Sequence, residues 1–378
     1  MSVINVTSGV SYATLSAAIL GSSANDVLQA SAGAYVEDFP DINHNLTING
    51  IGGLASLTRA TPLTSSGRAI VNVPLDAGVN LSLSGVEISG AARPGANPNG
   101  AGILFEIGNG NLTIANSWIH NNEDGILTGG PDAHSPAGGM NVTITHSEIG
   151  DNGAPVGSAY AASGQDHNIY AGSLTSFSLT DSYVHNVFSQ GHEIKSRALS
   201  TTIINNRILD LSAGLNGALG GSYDIDVPNG GIAVITGNVI EKGPDSVNRY
   251  IIHFAGEGTY PNSGLTVCGN TIINHRSAGA TAVFNQSLDP NGHNIPATIC
   301  DNTLYDGGAA VSLFQDNFGP PLDAATNNVI LSGQGPALDT SSLFAVPEPL
   351  STAVLLFTAL SLTMARRGIG ARRSRCVF

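Results

Sequence analysis

The chain predicts an all-β fold, a right-handed parallel β-helix, and three observations predict it. A short strand-like phrase recurs at a drifting interval along most of the sequence. Glycine is abundant (47 of 378 residues), asparagine is frequent and aromatics make up only 6%, which suits many short strands joined by tight turns. Helical spacing is nearly absent between the phrases, which disfavours leucine-rich, ankyrin and other helix-containing repeats.

The phrase reads Leu81-Ser-Leu-Ser-Gly-Val-Glu-Ile88, then Leu112-Thr-Ile-Ala-Asn-Ser-Trp-Ile119, then Val142-Thr-Ile-Thr-His-Ser-Glu-Ile149. It returns at Phe177 to Val184 and Thr201 to Ile208, and further copies end at Ile240, Ile272, Leu304 and, more weakly, Ile330. The intervals between these end residues are 31, 30, 35, 24, 32, 32, 32 and 26. Each copy alternates apolar and polar, the period of a strand with one buried face. In several copies Asn or Asp then interrupts, a residue type that tolerates a left-handed turn. One more apolar residue follows. Left-handed hexapeptide helices have much shorter coils, so the reading is a right-handed solenoid of about ten coils stacked at ~4.8 Å.

A solenoid needs a cap over its first open coil. Ser11 is placed to start a short helix, with Tyr12, Leu15 and Ile19 on one face and Gly21 at its end. Tyr12-Ala-Thr-Leu-Ser-Ala-Ala-Ile19, followed by Asp26 to Tyr35 and Leu46-Thr-Ile-Asn-Gly50, resembles the opening of the pectate-lyase-like superfamily. The resemblance spans about residues 10 to 335. It implies the fold but not one reaction, because that superfamily holds lyases, hydrolases, epimerases and non-enzymatic adhesins.

Charge excludes one class of partner. The net charge is −14; the part from 346 onward carries five arginines and one glutamate, so the body has nine cations against 27 acids. Such an acidic body repels nucleic acid, so no nucleic-acid partner is expected. Three cysteines are too few for a disulfide framework. Cys268 and Cys300 occupy the same place in consecutive phrases, 32 apart, within reach of a coil-to-coil disulfide or simply stacked as thiols.

Residues 346–378 read as a separate segment from the β-helix domain of 1–345. Val346-Pro-Glu-Pro349 is followed by an apolar run from Leu350 to Ala365 and then Arg366, Arg367, Arg372, Arg373 and Arg375. This resembles the bacterial PEP-CTERM sorting signal. That resemblance implies an exosortase partner, transient membrane insertion of 350–365 and an exported protein at the cell surface or in the extracellular matrix. Sixteen mostly apolar residues are marginal for spanning, and the arginines favour the cytoplasmic side. The first residues carry no basic start or apolar core, so the expectation is that the true start codon lies upstream.

The densest chemistry is Gly191-His192-Glu193-Ile194-Lys195-Ser196-Arg197, which contains one of the two lysines of the chain. It belongs to a second recurring strand, with copies His167-Asn-Ile-Tyr-Ala171, Tyr223-Asp-Ile-Asp-Val227 and Tyr250-Ile-Ile-His-Phe254. Their central isoleucines, 169, 194, 225 and 252, are expected to align and point inward. One outward column is then Tyr170, Lys195, Asp226 and His253, and a second is Asn168, Glu193, Asp224 and Ile251. Arg197, His192 and Glu257 are placed to rim the patch, and the turn Pro228-Asn-Gly-Gly231 to shape a groove wall.

Clustered ionisable groups on a rigid scaffold suit acid–base chemistry. Proton removal beside a uronate carboxylate needs a base (Lys195 or His253), a cation (Arg197) and an acid (Tyr170). Glu193-Ile-Lys-Ser196 resembles the stretch carrying the catalytic lysine in chondroitinase B and related alginate lyases; Asp224 and Asp226 stand on the next coil, where that family has an arginine. Hydrolysis is a second chemistry, since Glu193, Asp224 and Asp226 offer carboxylate pairs. No cofactor is expected; the alternative is calcium held by the same three carboxylates, which Lys195 among them opposes. The expected function is a polysaccharide lyase or epimerase acting on an extracellular polysaccharide. The alternatives are a non-enzymatic glycan-binding matrix protein and a glycoside hydrolase.

Overall fold

A computed structural model describes residues 1–63, 68–93, 100–106, 108–129, 139–153, 164–210, 220–316 and 324–344. The expected sorting segment from 346 lies outside them. The described residues form parallel ladders of short strands with one short helix.

A coil in the middle of the stack contributes three strands. The recurring phrase supplies the first, as in Asn111–Ala115 and Asn141–Thr145, whose inward residues Leu112, Ile114, Val142 and Ile144 are buried. Successive copies pair in register, Leu112 on Val142 and Val142 on Phe177. A left-handed residue then bends the chain: Asn116, His146, Asp181 and Asn205 have φ between 48° and 57°. This is the position of the interrupting Asn or Asp, whose local hydrogen bonding tolerates that conformation. A second strand follows, as in Trp118–His120 and Glu148–Gly150, also stacked coil on coil. After another turn comes the third, nine strands deep from Ala69–Val73 to Val311–Asp316. Each coil returns to a parallel strand one rung on, a connection that is right-handed in almost all sheets.

The residue after the left-handed turn builds an internal polar ladder. Asn206, Asn238, Asn270 and Asn302 are each 1–2% exposed. Each Oδ1 accepts the backbone N–H of the Asn one coil before, at 2.8 Å, 3.0 Å and 2.9 Å along the first three links. Each Nδ2 also donates to the next Asn, at 3.0, 3.0 and 2.9 Å. Ser117, Ser147 and Ser182 hold the same place in earlier coils, linked N–H to Oγ at 3.2 and 3.1 Å. These side chains satisfy backbone groups that the sharp turn removes from the ladders.

The N-terminal helix is present but starts later than expected. It spans Leu15–Leu20 and its cap is Thr14, whose Oγ1 accepts from Ala17 N at 3.1 Å. Ser11 instead lies in the strand Val10–Tyr12. The Glu37 carboxylate takes the N–H groups of Leu15 and Ser16, at 3.1 and 2.7 Å. Leu15, Ala18 and Ile19 are buried in the core shared with Leu28 and Leu46. Gly21 ends the helix with an ordinary right-handed φ of −89°. A Cβ there would lie 2.6 Å from the Tyr12 hydroxyl, so a larger residue would have to move that side chain.

Cys268 and Cys300 are paired rungs and form a disulfide. The segment after the last coil turns back over the second ladder. There the carbonyls of Asp339 and Ser341 accept from Arg207 at 2.6 and 3.0 Å, and Glu148 accepts from Ser342 and Leu343 at 2.6 and 2.7 Å.

Removal of one asparagine rung leaves buried backbone groups without partners, at ~1–3 kcal/mol for each group. Asn238→Ala is therefore expected to cost about 3 kcal/mol in urea unfolding. Asn141→Ala is the contrast, because Asn141 belongs to a solvent-facing chain of asparagines and should cost below ~1 kcal/mol.

Candidate functional site

The third ladder sets the site. Its inward column runs Ile126, Ile169, Ile194, Ile225, Ile252 and Val283, each paired with the next. The same register stacks Tyr170 on Lys195, Lys195 on Asp226 and Asp226 on His253. Four distant stretches of chain thus meet on one wall.

Their side chains join into a continuous run of alternating contacts. His253 Nδ1 is 2.7 Å from Asp226 Oδ1, and its Nε2 is 2.7 Å from Gln286 Oε1. Asp226 Oδ2 faces Lys195 Nζ at 3.4 Å and His192 Nδ1 at 3.5 Å. Lys195 Nζ lies 3.3 Å from Glu257 Oε1, and Glu257 Oε2 accepts from Arg197 Nη2 at 2.6 Å. Arg197 Nε donates to the Tyr170 hydroxyl at 2.8 Å, and its Nη1 to Asn229 Oδ1 at 2.6 Å. Asn229 belongs to the Pro-Asn-Gly-Gly turn, so that turn does line the site. Burial opposes the charge on Glu257, yet Lys195 and Arg197 outweigh it and hold its carboxyl below the usual glutamate range.

Beside this run lies a column of rings, of which the sequence pointed only to His192, as a residue of the rim. His167 stacks on His192 with centroids 4.8 Å apart, His192 meets Tyr223 at 5.2 Å, and Tyr223 follows with Tyr250 at 6.5 Å. Tyr250 then stacks on Phe284 at 4.1 Å. The signal was present: His, His, Tyr and Tyr each stand two residues before the inward isoleucine. Burial, reinforced by Lys195 and Arg197, pushes His167 well below the usual histidine range; burial and His167 do the same to His192. Both rings are therefore neutral at pH 7, which suits stacking. Gln286 and Tyr260 were also missed. They enter from loops whose reach no strand period encodes; the Tyr260 hydroxyl donates to Arg197 O at 3.1 Å.

The expected second outward column is corrected. Asn168, Glu193, Asp224 and Ile251 are at most 1% exposed. The first three precede strands only three residues long (Ile169–Ala171, Ile194–Ser196, Ile225–Val227) and so belong to a corner where the alternation of a strand no longer applies, whereas Ile251 lies inside the strand Tyr250–Phe254 and packs into the core. The side chains of Asn168, Glu193 and Asp224 are taken up by the turn that enters the third ladder. Asn168 donates to His185 O at 2.8 Å and to Glu193, while Glu193 Oε1 accepts from Val187 N at 2.9 Å. Asp224 Oδ2 faces Lys242 Nζ at 3.1 Å. Glu193 and Asp224 are thus sealed away from any glycan, which removes two of the three carboxylates that the hydrolase and calcium readings used. Among the described residues, no three His, Cys, Asp or Glu side chains are arranged to hold a metal ion.

The sealed corner is itself unusual. Burial raises the Asp224 carboxyl to about 7, against the pull of Lys242; burial with Asp210 and Asp224 raises Glu241 to about 9. Lys242, the other lysine of the chain, is fully buried among them.

No family model and no curated protein matches the chain. Two solved structures are similar to it. One is the A-module of the Azotobacter vinelandii mannuronan C-5 epimerase AlgE6, with a TM-score of 0.42, 13% identity, and 85% of this chain and 94% of that chain covered. The other is a pectin methylesterase in complex with a hexasaccharide, with a TM-score of 0.36, 10% identity, and coverage of 88% and 89%. The likeness is one of fold alone.

The buried acids make stability depend on pH in a definite direction. A carboxyl whose folded pKa is raised keeps its proton while the unfolded chain loses it. Stability therefore falls as pH rises from the unfolded value, near 4, through the folded one. Glu241→Gln removes one such group. Relative to the parent, this variant should gain stability steadily between pH 5 and 9, by at most about 1.4 kcal/mol per pH unit. Thermal unfolding across that range measures it, and a constant offset would contradict the assignment.

Proposed function

We propose that the protein is a carbohydrate-active enzyme that binds an extracellular, uronate-containing polysaccharide along the third ladder. It removes the proton beside the uronate carboxylate, as a lyase or an epimerase does. One observation carries this reading: the unbroken run Tyr170, Arg197, Glu257, Lys195, Asp226 and His253, which sets two proton-transfer groups on either side of a pair of cations.

The roles follow from the contacts. Lys195 and Arg197 bind the carboxylate and stabilise the enolate formed when the neighbouring proton leaves. Lys195 lies between two carboxylates, which suits a fixed cation better than a base. His253 is the base; Asp226 orients it through Nδ1, and Gln286 yields Nε2 to the substrate. Tyr170, held by Arg197, is the proton donor to the leaving oxygen or to the opposite face of the sugar. Of the ring column, Tyr223 and Tyr250 are partly exposed and offer apolar surface to sugar rings beside the reacting unit.

Export and surface sorting belong to the same proposal. The Cys268–Cys300 disulfide supports an oxidising compartment, and the Pro-Glu-Pro and arginine-rich tail supports processing by an exosortase. Truncation after residue 345 should then leave the protein unanchored in cell fractionation.

The ring column also favours a second reading, a matrix protein that holds glycan without turning it over. Incubation with alginate, pectate and chondroitin separates the two. A lyase produces unsaturated ends that absorb near ~232 nm, and an epimerase changes the uronate proton spectrum. His253→Ala and Tyr170→Phe should each lower turnover by 10²-fold or more, roughly the contribution of one acid–base group, and Lys195→Ala by about 10²-fold through loss of a charge that stabilises the enolate. Binding without turnover in the parent would leave the matrix reading in place.

A further inference from the structure

Glu257 differs from the rest of the site. Its side chain is 46% exposed, while the two cations it joins, Lys195 and Arg197, are only 11% and 7% exposed. The solvent-facing side of the cation pair is therefore covered by one carboxylate, and that carboxylate sits where an acidic sugar would have to place its own.

The backbone beneath it is fixed. Glu257 N donates to Pro228 O at 2.9 Å, and Ala255 N to Val227 O at 2.8 Å. Ala255, Gly256 and Gly258 all have positive φ, at 62°, 101° and 142°. At Gly256 a Cβ would lie 2.8 Å from His253 Nε2 and 2.7 Å from Gln286 Oε1, so the loop needs glycine to pass this close to the proposed base. A loop pinned in this way does not swing as a body. The Glu257 side chain, with its flexible stem and exposed end, can rotate away alone.

The cations also have partners behind them. When the Glu257 carboxylate departs, Lys195 keeps Asp226, and Arg197 keeps Tyr170 and Asn229. What they lose is one acceptor on the open side, and a buried cation without that acceptor is costly. A second carboxylate therefore fits the vacated place.

We propose that Glu257 is a specificity-determining residue, a resident carboxylate that holds the Lys195–Arg197 clamp in the free protein and is displaced by the carboxylate of a uronate. The inference rests on the proposed function and names how its site selects substrate. A neutral glycan offers nothing to replace the carboxylate and leaves Glu257 in place. An acidic glycan binds with an affinity set by the difference between two carboxylates, which keeps binding reversible along a polymer.

The test compares the parent with Glu257→Gln and Glu257→Ala, titrated with hexamers of galacturonate and of mannuronate, and with cellohexaose as the neutral control. Both variants should bind the uronate hexamer about tenfold or more tightly than the parent, the worth of one close charge pair, with cellohexaose unchanged. Weaker or equal uronate binding in both variants, where the parent binds, overturns the inference and leaves the proposed function standing. A second arm needs no sugar. Acetate, compared with chloride at equal ionic strength, should raise the melting temperature of Glu257→Ala and not that of the parent. Stabilisation of Glu257→Ala without any uronate binding to parent or variants would uphold the clamp and sink the proposed function. No acetate effect on Glu257→Ala would overturn the clamp itself.

Discussion

The structure depends on the hydrogen bonds that run from each coil to the next. They force every residue of a rung to sit above a counterpart about thirty positions away, so side chains are chosen in columns. An inward column must be apolar throughout, as from Ile126 to Val283. A one-residue slip in any coil would turn its whole set of side chains to the wrong face. The asparagine ladder acts on the same constraint at the turn, where each Oδ1 holds the backbone of the preceding coil and keeps the stack in step.

That stacking makes the candidate site possible and also limits it. Neighbours in a column sit about 5 Å apart, so like charges cannot follow one another without cost. The outward column accordingly runs Tyr170, Lys195, Asp226, His253, with no two like charges adjacent. Glu257 and Arg197 enter from beside the column and complete the alternation. The corner behind it follows another rule. Glu193, Asp224 and Glu241 lie out of water, where burial and repulsion by Asp210 push all three carboxyls upward. The two lysines of the chain mark the two environments, one at the open clamp and one fully buried beside Asp224.

Much of this was legible in the sequence because it is periodic. The alternation in Leu112 to Ile119 identifies a strand and its buried face, and the interrupting Asn or Asp identifies the turn. The isoleucines at 169, 194, 225 and 252 identify the register of the third ladder, and with it the column carrying Lys195. Less regular features were harder to read. Glu193 and Asp224 stand where alternation places an outward side chain, but their strands begin one residue later and the corner encloses them. Ser11 is a good capping residue, but pairing of Val10–Tyr12 with Val3–Asn5 draws it into a strand and leaves the cap to Thr14. The cysteines were placed within reach of each other by their spacing, and their pairing as neighbouring rungs made the bond.

The amino-acid sequence by itself determined the solenoid, its inward columns and the convergence of Tyr170, Lys195, Asp226 and His253, because strand period and coil length are local properties that repeat. Only the tertiary structure decided which charges face water, which carboxylate closes the cation pair and which rings stack beside it. Those outcomes depend on how corners fold over and how far loops such as 255–258 reach, and both are set by contacts between residues far apart in the chain.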